Sequence, residues 1–325
     1  MNRRGFLKKA AATAALAASG CSVEDFIRTR LREMDRRQLR DLLADLERTC
    51  GERYGRPVDV RSTPPREGVL FAYGLDLSRC NGNRLCVAAC VEENNASRPA
   101  RGDEAHSNPL QWITVLEMDK ARGIDFEHAD PYYNPKTVPA EDKFYLPVQC
   151  QQCENPPCVK VCPVGATWKE RDGIVVIDYD WCIGCRCCMS ACPYGARRFN
   201  WCEPNLPADA VNPDMHVLGN RPRPRGVVEK CTFCIQRTRE GRYPACLEAC
   251  PTGARKFGNL LDKDSEIRRL MDEKRVFVLK EELNTKPKIF YFYGCTPSCS
   301  SPAAARAWSS AARAPTGRGS PSASS

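Results

Sequence analysis

The segment CIGCRCCMSACP, at residues 182–193, repeats cysteine at short intervals and ends in Cys-Pro. Its spacing is C-x2-C-x2-C-x3-C-P, for Cys182, Cys185, Cys188 and Cys192. Cysteines only two or three residues apart direct their sulfurs to a common centre rather than to distant partners. A centre that several thiolates surround is a metal site. The segment therefore predicts that cysteine and metal together organise the fold.

The same spacing is typical of bacterial ferredoxins, in which the fourth cysteine binds the other iron-sulfur cluster of a pair. A second run, CQQCENPPCVKVCP at residues 150–163, has the spacing C-x2-C-x4-C-x3-C-P. The crossing rule then predicts two sites. Set I is Cys162, Cys182, Cys185 and Cys188, and set II is Cys150, Cys153, Cys158 and Cys192. Between the runs, GATWKERDGIVVIDYD predicts a β-hairpin that turns at Asp172-Gly173.

Two more cysteine groups flank this unit, one on each side along the chain. By the same rule, set III is Cys90, Cys231, Cys234 and Cys246, and set IV is Cys80, Cys86 and Cys250. The second two-cluster unit is thus expected to be split around the first. The predicted fold class is α+β, with two pseudosymmetric bacterial-ferredoxin-like units, one inserted in the other, and a helical segment before them.

An internal repeat supports this arrangement. The segments CPVGATW, CPYGARRF and CPTGARKF begin at Cys162, Cys192 and Cys250. Proline turns the chain and removes an amide donor, and glycine lets the backbone approach the cluster closely. Such amide contacts tune the potential of a cluster.

Set IV lacks one cysteine of the pattern, because Asn83 stands where the second cysteine of the run is expected. An amide oxygen is a harder and neutral ligand compared with a thiolate, so the iron at that corner is expected to be weakly held. Three outcomes remain open: a three-iron cluster, which we favour, a four-iron cluster with another ligand, or an empty site. The predicted cofactors are three [4Fe-4S] clusters plus one [3Fe-4S] or atypical [4Fe-4S] cluster.

The chain has 21 cysteines and only three histidines. A disulfide framework is the alternative for an exported protein, but the tight runs oppose it. Zinc is the rival metal, although the runs ending in Cys-Pro favour iron-sulfur clusters. No ligand role is assigned to the five remaining cysteines of the body and tail, Cys50, Cys187, Cys202, Cys295 and Cys299.

The net charge of +9 is mostly contributed by the two ends of the chain, which contain basic residues and no acids. The rest is interspersed with acids and does not form the basic stripe of a nucleic-acid-binding protein. Six cations lie near the cysteine runs: Arg186, Arg197, Arg198, Arg237, Arg255 and Lys256. Each could balance an anionic cluster or simply be solvated.

The chain begins with Arg3-Arg4, Phe6, Leu7 and a short alanine-rich stretch, which predicts a Tat-type export signal over residues 1–20. A basic start on a soluble helix is the alternative. Cys21 ends a partial lipoprotein box and is a candidate lipid anchor. The predicted location is the periplasm or the outer face of the cytoplasmic membrane.

Three regions follow the predicted signal. Residues 21–66 form an amphipathic helical segment and a linker rich in proline, with the helix packed on its own domain or a partner. Residues 67–290 form the four-cluster domain, with the inner unit at about 145–205. Residues 291–325 form a tail, which is expected to be disordered because its composition cannot bury a core. No stretch outside the signal has 18 consecutive apolar residues.

With these motifs, residues 70 to about 290 resemble the four-cluster subunits of membrane-linked oxidoreductases, namely dimethyl sulfoxide, polysulfide and nitrate reductases and alternative complex III. The resemblance implies an electron-transfer subunit that works beside an integral membrane quinone-reactive subunit of the polysulfide-reductase type and a molybdopterin-type or cytochrome-type catalytic subunit. No nucleophile, general-base pair or nucleotide loop appears, so the chain is expected to relay electrons without transforming a substrate. The alternative is a free-standing exported polyferredoxin.

Overall fold

The computed structural model of the protein describes residues 35–98 and 110–294. The predicted export signal, Cys21, Cys295, Cys299 and most of the predicted tail lie outside these residues. The α-helices are α1 (Arg36–Tyr54), α2 (Leu85–Glu93), α3 (Pro157–Lys160), α4 (Cys187–Ser190), α5 (Ile235–Thr238), α6 (Ala245–Glu248) and α7 (Glu266–Glu273). The strands are β1 (Asp59–Arg61), β2 (Phe71–Asp76), β3 (Thr114–Asp119), β4 (Lys143–Val148), β5 (Thr167–Lys169), β6 (Val175–Ile177), β7 (Arg198–Phe199), β8 (Asp214–His216), β9 (Val228–Glu229), β10 (Arg255–Asn259) and β11 (Ile289–Phe292).

The main sheet has the strand order β10-β2-β11 and joins three distant parts of the chain. The central strand β2 is antiparallel to β10 and parallel to β11, and Tyr73 faces Phe257 on one side and Ile289 on the other. Every residue of β2 is buried, as expected for a strand covered on both faces. Helix α7 closes over this sheet, and Ile267 fits so closely that a Cβ at Gly74 would lie 3.0 Å from its Cδ1.

The hairpin predicted between the two inner cysteine runs is present. Strands β5 and β6 pair antiparallel, with Trp168 opposite Val176. Gly173 supplies the turn with φ of 84°, a conformation that glycine adopts at no steric cost. All three residues of β6 are buried, and Val175 and Ile177 pack in a core that includes Cys158, Cys162, Cys182 and Cys188. The hairpin therefore contributes apolar side chains to the core that surrounds the inner cysteines.

The insert between α2 and the second cysteine run contains its own hairpin. Strands β3 and β4 pair over six residues each, and the buried Tyr145 lies opposite Glu117. Tyr133, from the connection between these strands, packs 5.1 Å from the Tyr145 ring and donates to the carbonyl oxygen of Gly82. The insert thus covers the segment that carries Cys80 and Asn83.

Helix α1 lies against the body of the protein. Asp35 caps its start by accepting from the backbone amides of Arg37 and Gln38, and Gly55 ends it in the left-handed region. Its half-buried Leu43 and Leu46 pack with a cluster that also contains Leu206, Val211 and Met215. Within the described part of the chain, the expected helical segment is therefore helix from Arg36 and packs on its own domain.

Two boundaries differ from the expectation. The proline-rich linker contains β1, which pairs in parallel with β8, so this stretch is structured. The four-cluster region was expected to end at residue 290, but β11 continues to Phe292, and Tyr291 and Phe292 are fully buried. Both contacts join residues far apart in sequence, which local composition does not reveal.

Candidate functional site: four groups of cysteines

The structure brings the cysteines of sets I and II near one another. In set I, the Cys182 sulfur lies within electrostatic reach of Cys162 and Cys185, and Cys188 in turn lies near Cys182. In set II, the sulfur of Cys153 is near those of Cys150, Cys158 and Cys192. Each fourth cysteine thus joins the group formed by the other run.

Sets III and IV are brought together in the same crossed way, although their members come from opposite ends of the domain. The sulfur of Cys90 lies near Cys231, Cys234 and Cys246. The sulfur of Cys80 lies near Cys86 and Cys250. Helices α2 and α6 carry Cys90 and Cys246, and their packing joins the first and last cysteine runs.

The four sets form a single series. Cys188 of set I is near Cys158 of set II, Cys150 of set II is near Cys231 of set III, and Cys246 of set III is near Cys86 of set IV. Each of these electrostatic interactions between sulfurs relates one set to the next. The order along the series is therefore I, II, III and IV.

The two ends of the series are nearer to solvent than its middle. Cys185 of set I is exposed, and Cys80 and Cys250 of set IV are half-buried. In the middle, set II has one half-buried member, Cys192, and all four cysteines of set III are buried. This arrangement is suitable for receiving an electron at one surface and releasing it at another.

Burial makes these thiols weak acids unless a cation replaces their protons. Burial and the neighbouring Cys150 raise the pKa of Cys153 to about 12, and burial and Cys246 raise the pKa of Cys231 to about 12. The pKa values of Cys90 and Cys234 are also raised well above the usual range by burial and by neighbouring sulfurs. Only the thiolate is a good metal ligand, so metal binding has to release protons from these sites.

The separation of the sulfurs bears on which metal fits. Among residues 35–98 and 110–294, no three His, Cys, Asp or Glu side chains are close enough to share one metal ion. A tetrahedral zinc site requires such a convergence on a single ion. A cluster of several irons instead takes one cysteine at each iron, so its ligands stand at separate corners. Sets composed only of cysteines provide the ligand type that iron-sulfur clusters take.

The four cysteine loops share one feature of backbone conformation. In each run, the second residue after the first cysteine has a positive φ. These residues are Gly82, Gln152, Gly184 and Phe233. At Phe233 the backbone amide donates to the Cys231 sulfur over 3.4 Å. Hydrogen bonds of this kind stabilise the negative charge on sulfur.

Several buried side chains also contact the sulfurs of set III. The amide nitrogen Nδ2 of Asn94 lies 3.6 Å from the Cys90 sulfur and 3.8 Å from that of Cys234. The hydroxyl of Tyr73 lies 3.3 Å from the Cys246 sulfur. Sequence patterns gave no sign of these two residues, because neither belongs to a cysteine run.

The six cations identified in the sequence have different surroundings in the structure. Arg186 is exposed and stacks on Phe199 and Trp201, Arg237 pairs with Glu93, and Lys256 pairs with Glu266. Arg198 is half-buried and donates to backbone and hydroxyl oxygens. Only Arg197 and Arg255 of the six are buried beside the cysteine sulfurs. A third such cation, Lys230, was missed, and its one sequence signal is its position directly before Cys231.

The cysteines without an assigned role lie apart from the sets or out of phase with them. Cys187 and Cys202 are exposed, and Cys50 is half-buried on α1. Cys187 starts α4 between two members of set I, where its backbone phase turns the side chain to solvent.

Comparison with known proteins identifies the domains. The 4Fe-4S dicluster domain family matches residues 141–208 and 219–260, and a second family of the same description matches residues 79–166. Within the described residues, no helix has both the length and the apolar character needed to cross a membrane.

Three relatives extend the similarity beyond single motifs. The Hdr-like menaquinol oxidoreductase iron-sulfur subunit 1 of Archaeoglobus fulgidus is 42% identical over 251 residues, which cover 70% of this chain and 84% of that protein. The menaquinone reductase iron-sulfur cluster-binding subunit of Nitratidesulfovibrio vulgaris is 40% identical, with 67% of this chain and 86% of that protein covered. A selenate reductase subunit of Mesobacillus selenatarsenatis is 34% identical, with 89% of this chain and 96% of that protein covered.

These relatives are subunits of oxidoreductases, which favours the expected subunit over a free-standing polyferredoxin. Three observations indicate the same family: the grouping of the cysteines, the matches to dicluster domains, and the relatives, which are covered over most of their length. The chain belongs to the family of iron-sulfur electron-transfer subunits of membrane-linked oxidoreductases.

Proposed function

We propose that this subunit relays single electrons between an integral membrane quinone-reactive subunit of the polysulfide-reductase type and a catalytic subunit of the molybdopterin or cytochrome type. The observation that carries the proposal is the single series of four cysteine sets, whose two ends are nearest to solvent. Three relatives are named as subunits of a menaquinol oxidoreductase, a menaquinone reductase and a selenate reductase. A quinone on one side and a reducible substrate on the other are consistent with a relay between two partners.

The proposed ligands are the fifteen cysteines of sets I to IV, within a domain from residue 67 to about 292. In this proposal the outer unit, with sets III and IV, is split around the inner unit at about 145–205. Iron-sulfur clusters supply one-electron carriers when they are bound. The protein holds them at fixed separation, donates hydrogen bonds to their thiolates and buries every cysteine of set III.

We further propose three [4Fe-4S] clusters and a [3Fe-4S] cluster at set IV. Asn83 supports this choice, because its Oδ1 already accepts from the backbone amide of Leu85 over 3.0 Å. Its amide oxygen therefore accepts a hydrogen bond from the first turn of α2, as an Asn side chain commonly does beside a helix start. The cavity beside Asn83 is lined by Cys80, Cys86 and Cys250, which supply three thiolates.

Export by the Tat route to the periplasm or the outer membrane face completes the proposal, with Cys21 as a candidate lipid anchor. It is supported by Arg3-Arg4, in a part of the chain outside the described residues, and by a cargo whose cofactors are inserted on folding. Replacing both arginines with lysine is expected to leave the protein in the cytoplasm. Undiminished export of that double variant would contradict this route.

The main experiment is purification of the native protein from detergent-extracted membranes, with identification of its companion subunits. A broad absorbance at roughly 400 nm and about fifteen irons per chain are expected, with four irons for each complete cubane cluster. Recovery of all the protein as a free monomer after osmotic release would contradict the membrane partner. A colourless, iron-free protein would contradict the clusters themselves.

A further inference from the structure

Buried cations in this protein fall into two classes. Eight Arg and Lys side chains are buried among residues 35–98 and 110–294. Five of them form salt bridges with carboxylates, and these are Arg221, Arg223, Arg239, Lys256 and Lys288. The other three are Arg197, Lys230 and Arg255, and each has cysteine sulfurs of the four sets around it.

Arg197 lies between sets I and II. Its charge interacts first with Cys158 of set II and next with Cys188 of set I. Nη2 donates to Thr167 Oγ1 over 3.1 Å, whereas Nη1 is buried and lacks a hydrogen-bond partner among the described residues. The guanidinium is directed at the sulfurs of Cys158 and Cys188, and a cluster bound there would give the buried Nη1 an acceptor.

Arg255 occupies the same position of the CPxGAR repeat, five residues after Cys250 as Arg197 is five residues after Cys192. It lies between sets III and IV. Its Nη2 is 3.2 Å from the sulfur of Cys86 in set IV, and its Nη1 is 3.9 Å from that of Cys246 in set III. Nη1 also donates to Gln149 Oε1 over 3.0 Å, which holds the guanidinium in place.

Lys230 lies between the two units. Its Nζ donates to the carbonyl oxygens of Val175 and Cys231, the latter over 2.9 Å. Its charge interacts with Cys158 of set II and Cys231 of set III. The side chain has no measurable exposure, so water does not screen this charge.

Burying a cation without a partner anion is strongly unfavourable, which is why the other five buried cations have carboxylates. A cluster bound by thiolates is anionic and can take the place of a carboxylate. We propose that Arg197, Lys230 and Arg255 are the counter-charges of the relay, one at each interval between consecutive cysteine sets. This inference rests on the ligand sets proposed above.

A fixed cation beside a cluster stabilises the additional negative charge that reduction brings, and therefore raises the reduction potential. Because each of the three lies between two sets, it stabilises an electron on either neighbouring cluster. Sets II and III have two such cations each, and sets I and IV have one. The residues position charge, and none of them reacts.

The test is redox potentiometry of the intact complex with dithionite as reductant, followed by electron paramagnetic resonance. Cys185→Ser identifies the signal of set I, and the unusual set IV is identified by its own spectrum. Arg197→Gln is expected to lower the potentials of sets I and II and leave set IV unchanged. Arg255→Gln is expected to lower the potentials of sets III and IV and to leave the potential of set I unchanged. Lys230→Gln is expected to lower only the potentials of the two middle sets, II and III.

Conservative variants separate charge from packing. Arg255→Lys and Arg197→Lys keep the charge and are expected to keep most of the original potentials. Lys256→Gln is the matched control, because it removes a charge next to Arg255 that Glu266 already balances. Its cluster potentials are expected to change less than those of Arg255→Gln.

Four results would overturn the inference: unchanged potentials, equal shifts in all clusters, shifts in sets away from the altered residue, or equal effects of Gln and Lys. If a Gln variant loses iron, retention of iron by the Lys variant supports the charge role, and loss from both contradicts it. Failure of the proposed ligand sets is a separate result, because the unaltered protein would then lack four clusters before any cation is changed.

Discussion

Asn83 and Cys185 occupy equivalent positions in two loops with the same backbone conformation. Each follows a glycine with positive φ, 78° at Gly82 and 73° at Gly184. Each precedes an arginine in the left-handed region, with φ of 57° at Arg84 and 64° at Arg186. Beyond these arginines, Cys86 and Cys188 each take the second position of a helix. Asn83 therefore stands at the corner where a cysteine would complete set IV.

Asn83→Cys is expected to raise the iron content by about one per chain and to abolish a three-iron paramagnetic signal, because a thiolate is returned to the open corner. Iron analysis and electron paramagnetic resonance of the oxidised protein measure both. Leu85→Cys is the control, since Leu85 matches the out-of-phase Cys187 and is 49% exposed. An unaltered protein without such a signal and with about sixteen irons would rule out the three-iron form.

Cys187→Ser and Cys188→Ser differ by one position and test the phase of set I. Cys187 is exposed, so its loss is expected to leave iron content and absorbance unchanged. Cys188 is buried beside Cys182, so its loss is expected to remove or convert one cluster. The measurement is iron per chain with absorbance at roughly 400 nm. Equal iron loss in both variants would contradict the assigned ligands.

Glu229→Gln is expected to destabilise the fold by about 3–5 kcal/mol, because it leaves the buried Arg223 without its counter-charge. Arg223 and Glu229 are 1% and 0% exposed in their side chains, and Arg223 lies 5.0 Å from the Trp112 ring. The exposed pair Arg48 and Glu52 gives the control, where Glu52→Gln should cost much less because solvent screens the pair. Denaturant unfolding of both variants compares the two costs, and similar values would refute the prediction.

His216 is expected to make stability depend on pH in a defined direction. Burial, with smaller contributions from Arg239 and Arg61, lowers the pKa of His216 to about 3. Its Nδ1 accepts from the backbone amide of Leu218 over 3.1 Å, so a proton there would also remove an acceptor. Between an unfolded pKa of about 6.5 and the folded value, the unfolded chain binds the additional proton.

Stability from this group is therefore complete above about pH 6.5 and falls as the pH drops, approaching about 1.4 kcal/mol per pH unit. His216→Gln should reduce the slope between about pH 8 and about pH 5.5, a range measured by chemical unfolding with matched iron content. The same slope in both proteins would show that His216 does not cause it.

The two strand-like runs joined at Asp172-Gly173 were sufficient to predict the inner hairpin, and the crossing rule grouped cysteines whose sulfurs interact in the structure. Short runs encode such features, because the ligand spacing and the turn glycine act over a few residues. Strand β11, the pairing of β1 with β8, and Lys230 were not predicted. Each depends on a contact between segments far apart in the chain, and no local periodicity records that contact.

The distinction among cations shows the same limit. Arg186 and Arg197 both lie near cysteines in sequence, yet one stacks on an exposed tryptophan and the other is buried between two sets. Their surroundings are set by tertiary packing, and the sequence left solvated and charge-balancing roles open for both. Among the buried cations, a carboxylate partner distinguishes those in salt bridges from those beside cysteine sulfurs.

The main sheet implies an order of assembly during synthesis. Strand β2 pairs with β10 and β11, whose residues leave the ribosome last among the described strands. The inner cysteines, by contrast, are all translated by residue 192, with their hairpin complete. A nascent chain can therefore gather the inner sulfurs early, whereas the outer sites wait for nearly the whole polypeptide, as long-range pairing generally does. Translation thus sets a sequence for maturation in which the centre of the chain precedes its flanks.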